Sequence, residues 1–327
     1  MNNPPLAIII GMLNLDIVIT GLPKFAPPGE QVNGQLVRFL PGGKGRNMAS
    51  MLAAWLAPGE VSMISKLVKD HYGLYRIPLQ SLIEAGIQTD QIRIEADRPE
   101  DLPTLAIFLN TIDGLRANYY LPGRNETLSP EDLEGAQSLF KQVAENQGFL
   151  LMTLELPLAT ACHVLEQAAA LGLRVMLDPG GRPPEEDLDF TPLFVHPPFL
   201  IKPNEGEASR LTGVKVHDFI SAERAARILV DQGVSYVLIT HGSHGAYAFT
   251  QEHSWHIPSP DVPVPPHAEP TGCGDQVLVV LCAEILHGKS FEDACHRAVR
   301  AGTLQYCQLG LDPIRPDHPL LEQITPE

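Results

Sequence analysis

The sequence predicts an α/β fold, with a mostly parallel sheet covered by helices on both faces and a small β lid beside it. Strand-like apolar runs alternate with helix-like segments along most of the 327 residues, which is the rhythm of strand–helix–strand units. Several of those runs are apolar throughout, as strands buried on both faces must be. Two stretches, 14–40 and 104–121, break the rhythm with paired strands and no helix between them.

In chain order, "LAIII" (6–10) reads as a buried strand. The surrounding "LAIIIGML" is short, lacks a basic leader and is soon followed by Asp16, so a strand is expected rather than a signal peptide. "GRNMASMLAAWLA" (45–57) is helical, "VSMISKL" (61–67) a strand, and "YGLYRIPLQSLIEAG" (72–86) a helix interrupted by Pro78. "TLAIFLN" and "LRANYYL" flank Asp113-Gly114, a hairpin signal. "SPEDLEGAQSLFKQVAEN" opens a helix with a Ser129 cap, Pro130 at the first position and acids in the first turn. "FLLMTLE" (149–155) and "LRVMLD" (173–178) are strands that bracket a helix over 159–171. "FLIKPN" (199–204), a helix over 221–233 and "SYVLIT" (235–240) continue the alternation. "PSPDVPVPPHAEP" (258–270) has six prolines in thirteen residues and is expected to be a stiff surface loop. With no internal repeat, residues 1–327 are expected to form one domain carrying the two lid insertions.

Composition excludes several functions. A formal net charge of -16 makes nucleic acid and anionic membrane poor partners. No apolar run reaches the ~18–20 residues of a membrane span. The five cysteines contain no C-x-x-C pair, which suits reduced thiols and a cytoplasmic location. The twelve histidines contain no H-E-x-x-H, so zinc has weak support. An anionic ligand could bind only where dipoles, cations or metal overturn the global field.

Four short stretches carry chemistry. "PGGKGRN" (41–47) fits neither the Walker A nor the dinucleotide glycine pattern. It is a glycine turn presenting Lys44 and Asn47 to a polar ligand, or a plain helix entry. "TGCGD" (271–275) runs into the apolar helix "VLVVLCA". Free amides and the helix dipole there suit an anion, and Asp275 beside it reads either as a base or as a helix cap. "KPNEGE" (202–207) places Asn204 and Glu207 three apart, for water-mediated Mg²⁺ or for a capping box. "ITHGSHGAYAF" (239–249) is a glycine-spaced loop between strands, either a nucleotide cradle or a turn.

In order and combination these stretches resemble the ribokinase-like (PfkB) family of ATP-dependent kinases. "GMLNLDIVITGLPKFAPPGE…PGGKGRNMA" is similar to its N-terminal signature, and "TLAIFLNTIDGLRANYYLPGRNETLSPEDL" to its second lid segment. "KPNEGE" resembles its N-x-x-E element, "ITHGSHGAYAF" its nucleotide loop and "EPTGCGDQ" its C-terminal signature, over about residues 6–312. The resemblance implies a three-layer α/β/α sandwich and transfer of the ATP γ-phosphoryl to a hydroxymethyl group of a small sugar of ribose or fructose type. It implies Asp275 as general base and Gly272, Cys273 and Gly274 as the anion hole. Asn14, Asp16, Gly43, Lys44, Asn47 and Glu155 fall on substrate positions. Asn204, Thr240, Gly242 and Gly245 fall on ATP positions, and Glu207 on Mg²⁺ through water. A homodimer shared through the lid is implied too.

Three departures stand out. Glu269 replaces an aspartate that in relatives helps form a monovalent-cation site, so K⁺ at Glu269 is left open. Ile314 and Arg315 are bulky where ribokinases carry small residues. Arg46 replaces a common alanine and is expected to point to solvent, with contact to an acidic substrate as the alternative. A nucleoside kinase on the same scaffold, with Phe108 or Tyr120 lining a base slot, is the second reading of the function. A silent sugar-binding regulator is disfavoured by the retention of Asp275, Glu207 and both glycines.

Overall fold

The computed structural model describes residues 3–95, 102–123, 127–181, 188–265, 268–308 and 310–321. Residues 124–126 of the second lid segment, 266–267 of the proline-rich stretch and Leu309 lie outside the described residues. The first half of the chain comprises β1 (Ala7–Ile10), β2 (Asn14–Leu22), β3 (Leu36–Gly42), α1 (Lys44–Ala53), β4 (Val61–Val68), α2 (Arg76–Glu84), β5 (Gln88–Glu95), β6 (Leu105–Thr111), β7 (Arg116–Leu121), α3 (Gln137–Glu145) and β8 (Phe149–Thr153). Then follow α4 (Leu158–Leu171), β9 (Arg174–Asp178), β10 (Leu200–Ile201), α5 (Glu205–Thr212), α6 (Phe219–Asp231), β11 (Tyr236–Thr240), β12 (Ala246–Phe249), β13 (Ser254–Ile257), α7 (Cys273–Leu286) and α8 (Phe291–Cys307).

Nine strands form one sheet in the order β13-β12-β11-β10-β9-β8-β1-β4-β5. Every pairing from β5 to β11 is parallel, and β12 and β13 close the edge antiparallel. The apolar run of β1 shows why helices cover both faces. Ala7 and Ile9 pack with residues of α1, α2, α7 and α8, while Ile8 and Ile10 pack with residues of α3, α4 and α6. A strand whose successive side chains enter opposite cores can lie only in the middle layer of three.

Local physics explains where the elements differ from the sequence reading. The α2 helix starts at Arg76, because the Asp70 carboxylate accepts from the amides of Tyr72, Leu74 and Tyr75 and holds that stretch as a turn. Pro78 is then the third helical residue, where a missing N–H costs nothing, so no interruption occurs. The segment capped by Ser129 opens as a 3₁₀ turn, Pro130–Ala136, before α3. The sequence gives no clear sign of β5 or β13, and each forms an edge of the main sheet. Edge strands bury less apolar surface and so leave a weaker pattern.

The two insertions meet as a second sheet in the order β3-β2-β6-β7. Each insertion is antiparallel within itself, but β2 and β6 pair parallel. Both strands set out from the same edge of the main sheet, β2 after β1 and β6 after β5, so they enter the lid in one direction.

From β1 the chain passes to β4 and β5 on one side, and from β8 onward it fills the other. The loops at the C-terminal ends of β1 and β8 therefore diverge and leave a crevice, the usual ligand position in open α/β sheets.

Candidate active site

Glu155 ties the crevice together just past the end of β8. Its carboxylate accepts from the backbone amides of Met12 and Lys44, each at 3.4 Å, and from Thr153 Oγ1 at 3.2 Å. Burial lifts its pKa to about 7, opposed by the Lys44 ammonium. Gly43 caps α1 at φ 91, a left-handed conformation in which any side chain would run into the Met12 carbonyl. This turn brings the strand end and the helix start together.

On the β2 side, Asn14 and Asn47 are buried, and Asn14 Oδ1 has no hydrogen-bond partner. A buried acceptor without a partner costs free energy until a ligand donates to it. Asp16 lies against Gly42, and burial raises its pKa to about 7. Arg46 is not directed to solvent as the sequence suggested. Its Nε donates to Ser81 Oγ at 3.2 Å and its Nη1 to Asn47 Oδ1 at 3.3 Å. The α2 helix stands beside α1 and supplies the hydroxyl that turns the side chain inward.

At the other end of the crevice, α7 begins on Gly272 at φ 78, with no side chain capping its first amides. Asp275 is 3% exposed and does not serve as the cap. Its Oδ1 accepts from Lys44 Nζ at 2.7 Å. Lys44 Nζ also lies 3.3 Å from Asp178 Oδ2, which Lys202 approaches at 2.9 Å. These charges hold the Asp178 carboxyl well below its usual range and the Lys44 ammonium well above its own, against burial in both cases. A Cβ on Gly274 would stand 3.0 Å from Lys202 Nζ, so the bare glycine leaves the amine access to the helix end. The Cys273 thiol is pushed up to about 12 by burial and by Asp275, and stays neutral.

Asp178 and Lys202 were missed in the sequence. The signal for them is a charge closing an apolar strand, in "LRVMLD" and "FLIK", where desolvation would be unfavourable without a partner.

Asn204 and Glu207 do form a capping box, with both backbone–side-chain bonds at 2.9 Å. This does not use up Glu207, because its Oε1 faces Gly180. A Cβ there would lie 2.8 Å from both Glu207 Oε1 and Asp178 Oδ1, so glycine lets the two carboxylates converge. Burial and the Asp178 charge raise the Glu207 pKa. Thr240 bridges to Asn204 along the strand ends. Gly242 stands in open space beyond, and Gly245 closes the turn into β12 against the backbone of Ile257–Ser259. Neither glycine joins the charged cluster. His241, between Thr240 and Gly242, ties this loop to α5 through Glu205 Oε1 at 3.0 Å.

The lid reaches the same crevice. The Tyr120 hydroxyl donates to Met12 Sδ at 3.1 Å, and Arg116 Nη1 donates to Glu269 Oε2 at 2.8 Å. Phe108 sits in β6 opposite Asn118. Among the described residues no group of three or more His, Cys, Asp or Glu forms a ready-made metal cage, and all five cysteines are unpaired.

The model of the pfkB carbohydrate kinase family matches residues 6–317. A ribokinase of Arabidopsis thaliana is 27% identical over 322 residues, covering 96% of this chain and 79% of the relative. A ribokinase of Haemophilus influenzae is 28% identical over 302 residues, covering 92% of each. The solved structure of Arabidopsis thaliana ribokinase complexed with ribose and ATP superposes with a TM-score of 0.82 at 25% identity, covering 99% of this chain and 100% of the other. The match spans the glycine turn before α1, the α5 element and the start of α7 alike, and on it the chain belongs to the pfkB family of carbohydrate kinases and is a sugar kinase.

Proposed function

We propose that the chain transfers the γ-phosphoryl of ATP to a hydroxymethyl group of a small sugar of ribose or fructose type, with Asp275 as general base. The observation that carries this is the set of Lys44, Asp275, Asp178 and Lys202 converging on the bare glycine start of α7. Asp275 takes the proton of the sugar hydroxyl, the oxygen attacks the γ-phosphorus, and ADP departs. Phosphoryl transfer asks mainly for positioning and charge neutralisation. Lys44, Lys202 and the amides of Gly272 and Gly274 supply the positive field around the transferred group, whereas the Cys273 amide, expected there from the sequence, donates to the Pro270 carbonyl at 3.2 Å.

Those two lysines face four carboxylates, of Asp178, Asp275, Glu155 and Glu207, so polyanionic ATP needs further positive charge there. Glu207 and Asp178 fit Mg²⁺. They are hard oxygen donors brought together over Gly180, and few in number, as suits an ion that keeps waters and phosphate oxygens as ligands. Mg²⁺ would neutralise charge on the phosphates. Asn204, Thr240, Gly242 and Gly245 hold the nucleotide on the adjoining strand ends. Asn14, Asp16, Gly43, Asn47 and Glu155 take the sugar, since amides and carboxylates pair with neighbouring hydroxyls. Glu269 is the candidate ligand for K⁺, which would have to displace the guanidinium of Arg116.

The lid edge supports a homodimer. Leu36, Val37, Phe39 and Leu40 of β3 are each more than 40% exposed, and an unpaired apolar edge invites a second copy. The net charge of -16 and the unpaired cysteines suit the cytoplasm.

The test is a phosphorylation screen over pentoses, hexoses, their phosphates and nucleosides, with ATP and Mg²⁺ and with or without K⁺. Turnover of a pentose or a ketohexose supports the reading. Turnover of nucleosides alone, or sugar binding without turnover, sinks it.

A further inference from the structure

A sugar-kinase site can be built for a neutral acceptor or for one already carrying an anionic group. Arg46 is the residue that distinguishes the two here. It lies in the first turn of α1, beside the residues assigned to the sugar. Two of its nitrogens are engaged, Nε by Ser81 Oγ and Nη1 by Asn47 Oδ1. Ser81 is itself fixed, since its hydroxyl donates to the Pro78 carbonyl at 2.7 Å. Two carboxylates act on the guanidinium, Asp16 from β2 and Asp312 from the segment after α8.

Building on the sugar-kinase reading, we propose that Arg46 is a positioning residue that orients the Asn47 amide for an uncharged polyol, and not an anchor for a phosphate or carboxylate on the substrate. Side-on bidentate capture of such a group uses Nε and Nη2 together, and here Nε is already held by Ser81 Oγ while Nη1 is turned to Asn47 Oδ1. Above about pH 7, where Asp16 is ionised, one guanidinium against two carboxylates leaves this end of the crevice negative, in a chain of net charge -16. The bond from Arg46 also settles the direction of the Asn47 amide. With its oxygen toward the guanidinium, Nδ2 is the group left to donate. The site then offers Asp16 and the unpartnered Asn14 Oδ1 as acceptors and Asn47 Nδ2 as donor. Hydroxyls can satisfy all three at once, because each donates and accepts. A phosphate, which only accepts when ionised, would leave Asn14 unsatisfied and meet Asp16 head-on.

The same arrangement has a titration consequence. Burial raises the Asp16 pKa to about 7, and the facing charge that holds it down is Arg46 of α1, with Asp312 acting on Arg46 in turn. Without the guanidinium, Asp16 would stay protonated to higher pH and accept fewer hydroxyl bonds.

The experiment compares wild type with Arg46→Gln and Arg46→Lys. Sugar and ATP kinetics are followed from pH 5.5 to 9, and melting midpoints over the same range without substrate. For Arg46→Gln we expect sugar KM to rise about tenfold, as for loss of charge-assisted positioning, with ATP KM unchanged. The acid limb of kcat/KM for the sugar should move to higher pH, and Arg46→Lys should restore it toward wild type. Without substrate, the Arg46→Gln midpoint should fall more steeply than wild type between pH 7 and 8.5, since a further-raised buried carboxyl loses its proton there. An unshifted acid limb together with parallel melting curves overturns the proposal. So does a wild-type preference for a sugar phosphate that Arg46→Gln abolishes. Absence of sugar turnover in wild type would instead count against the sugar-kinase reading, and the melting curves still decide the place of Arg46.

Discussion

At the residue scale, the crevice is governed by which buried charges have partners. Asp275 and Asp178 are nearly inaccessible and are held by Lys44 and Lys202. Asp16 and Glu155 are held less well, and burial lifts both to about 7. Replacing Asp275 with Asn should lower kcat by at least ~100-fold, the usual minimum for loss of a general base. ATP and sugar should still bind in calorimetry, because Lys44 retains Asp178. Near-normal turnover in that variant would remove Asp275 from the chemistry. Both raised carboxyls face the assigned sugar site and accept hydroxyl hydrogens at both oxygens only when ionised, so kcat/KM for the sugar should decline as pH falls below about 7. A flat profile from pH 6 to 8 would contradict this.

At the element scale, the start of α7 depends on glycine. A Cβ at 272 would lie 2.6 Å from Leu311 Cδ2 in a left-handed backbone, and one at 274 would press on Lys202 Nζ at 3.0 Å. The two substitutions should therefore behave differently. Gly272→Ala should lower stability by ~1 kcal/mol or more through backbone strain, read as a drop in the denaturant midpoint. Gly274→Ala should leave that midpoint nearly unchanged while raising ATP KM and lowering kcat. If both merely destabilise, α7 is not a phosphoryl-facing helix end. This scale also shows what the sequence made legible. Apolar runs such as "LAIII" and "VLVVLCA" identify the central strands and the buried helix, because burial on every side leaves no polar positions. Polar, half-exposed β5 and four-residue β13 carry no such mark. The glycine turns drew attention to Lys44 and Asp275, whereas Asp178 closes a strand with no surrounding motif and Lys202 opens "KPNEGE", where Asn204 and Glu207 drew the reading instead. The expectation of a solvent-facing Arg46 fails because its direction is set by Ser81, 35 positions away on another helix.

At the scale of the whole molecule, charge and burial set a pH dependence of stability. Asp16 and Glu155 have folded pKa values above their unfolded ones, so the native state binds more protons between about pH 4 and 7. Their contribution is fully present below that window and diminishes as pH rises through it. Asp178 has the opposite sign, with its folded pKa below the unfolded one, and its contribution is lost as pH falls below about 4. The substrate-free protein should thus melt at a higher temperature at pH 5.5 than at pH 8, and sugar should raise the midpoint more at pH 8. An equal or greater sugar effect at pH 5.5 would show that Asp16 and Glu155 do not hold the hydroxyls.

The parallel seam of β2 with β6 joins insertions that leave the main sheet at β1 and at β5. Such a seam cannot zip from a local turn. It has to wait until the sheet through β5 has aligned the two departure points. In pulse-labelled refolding, amides of Ile17 and Phe108, which point into the seam, should become protected together and after those of Ile9 and Met63. The binding cleft would then be roofed only once its floor is complete.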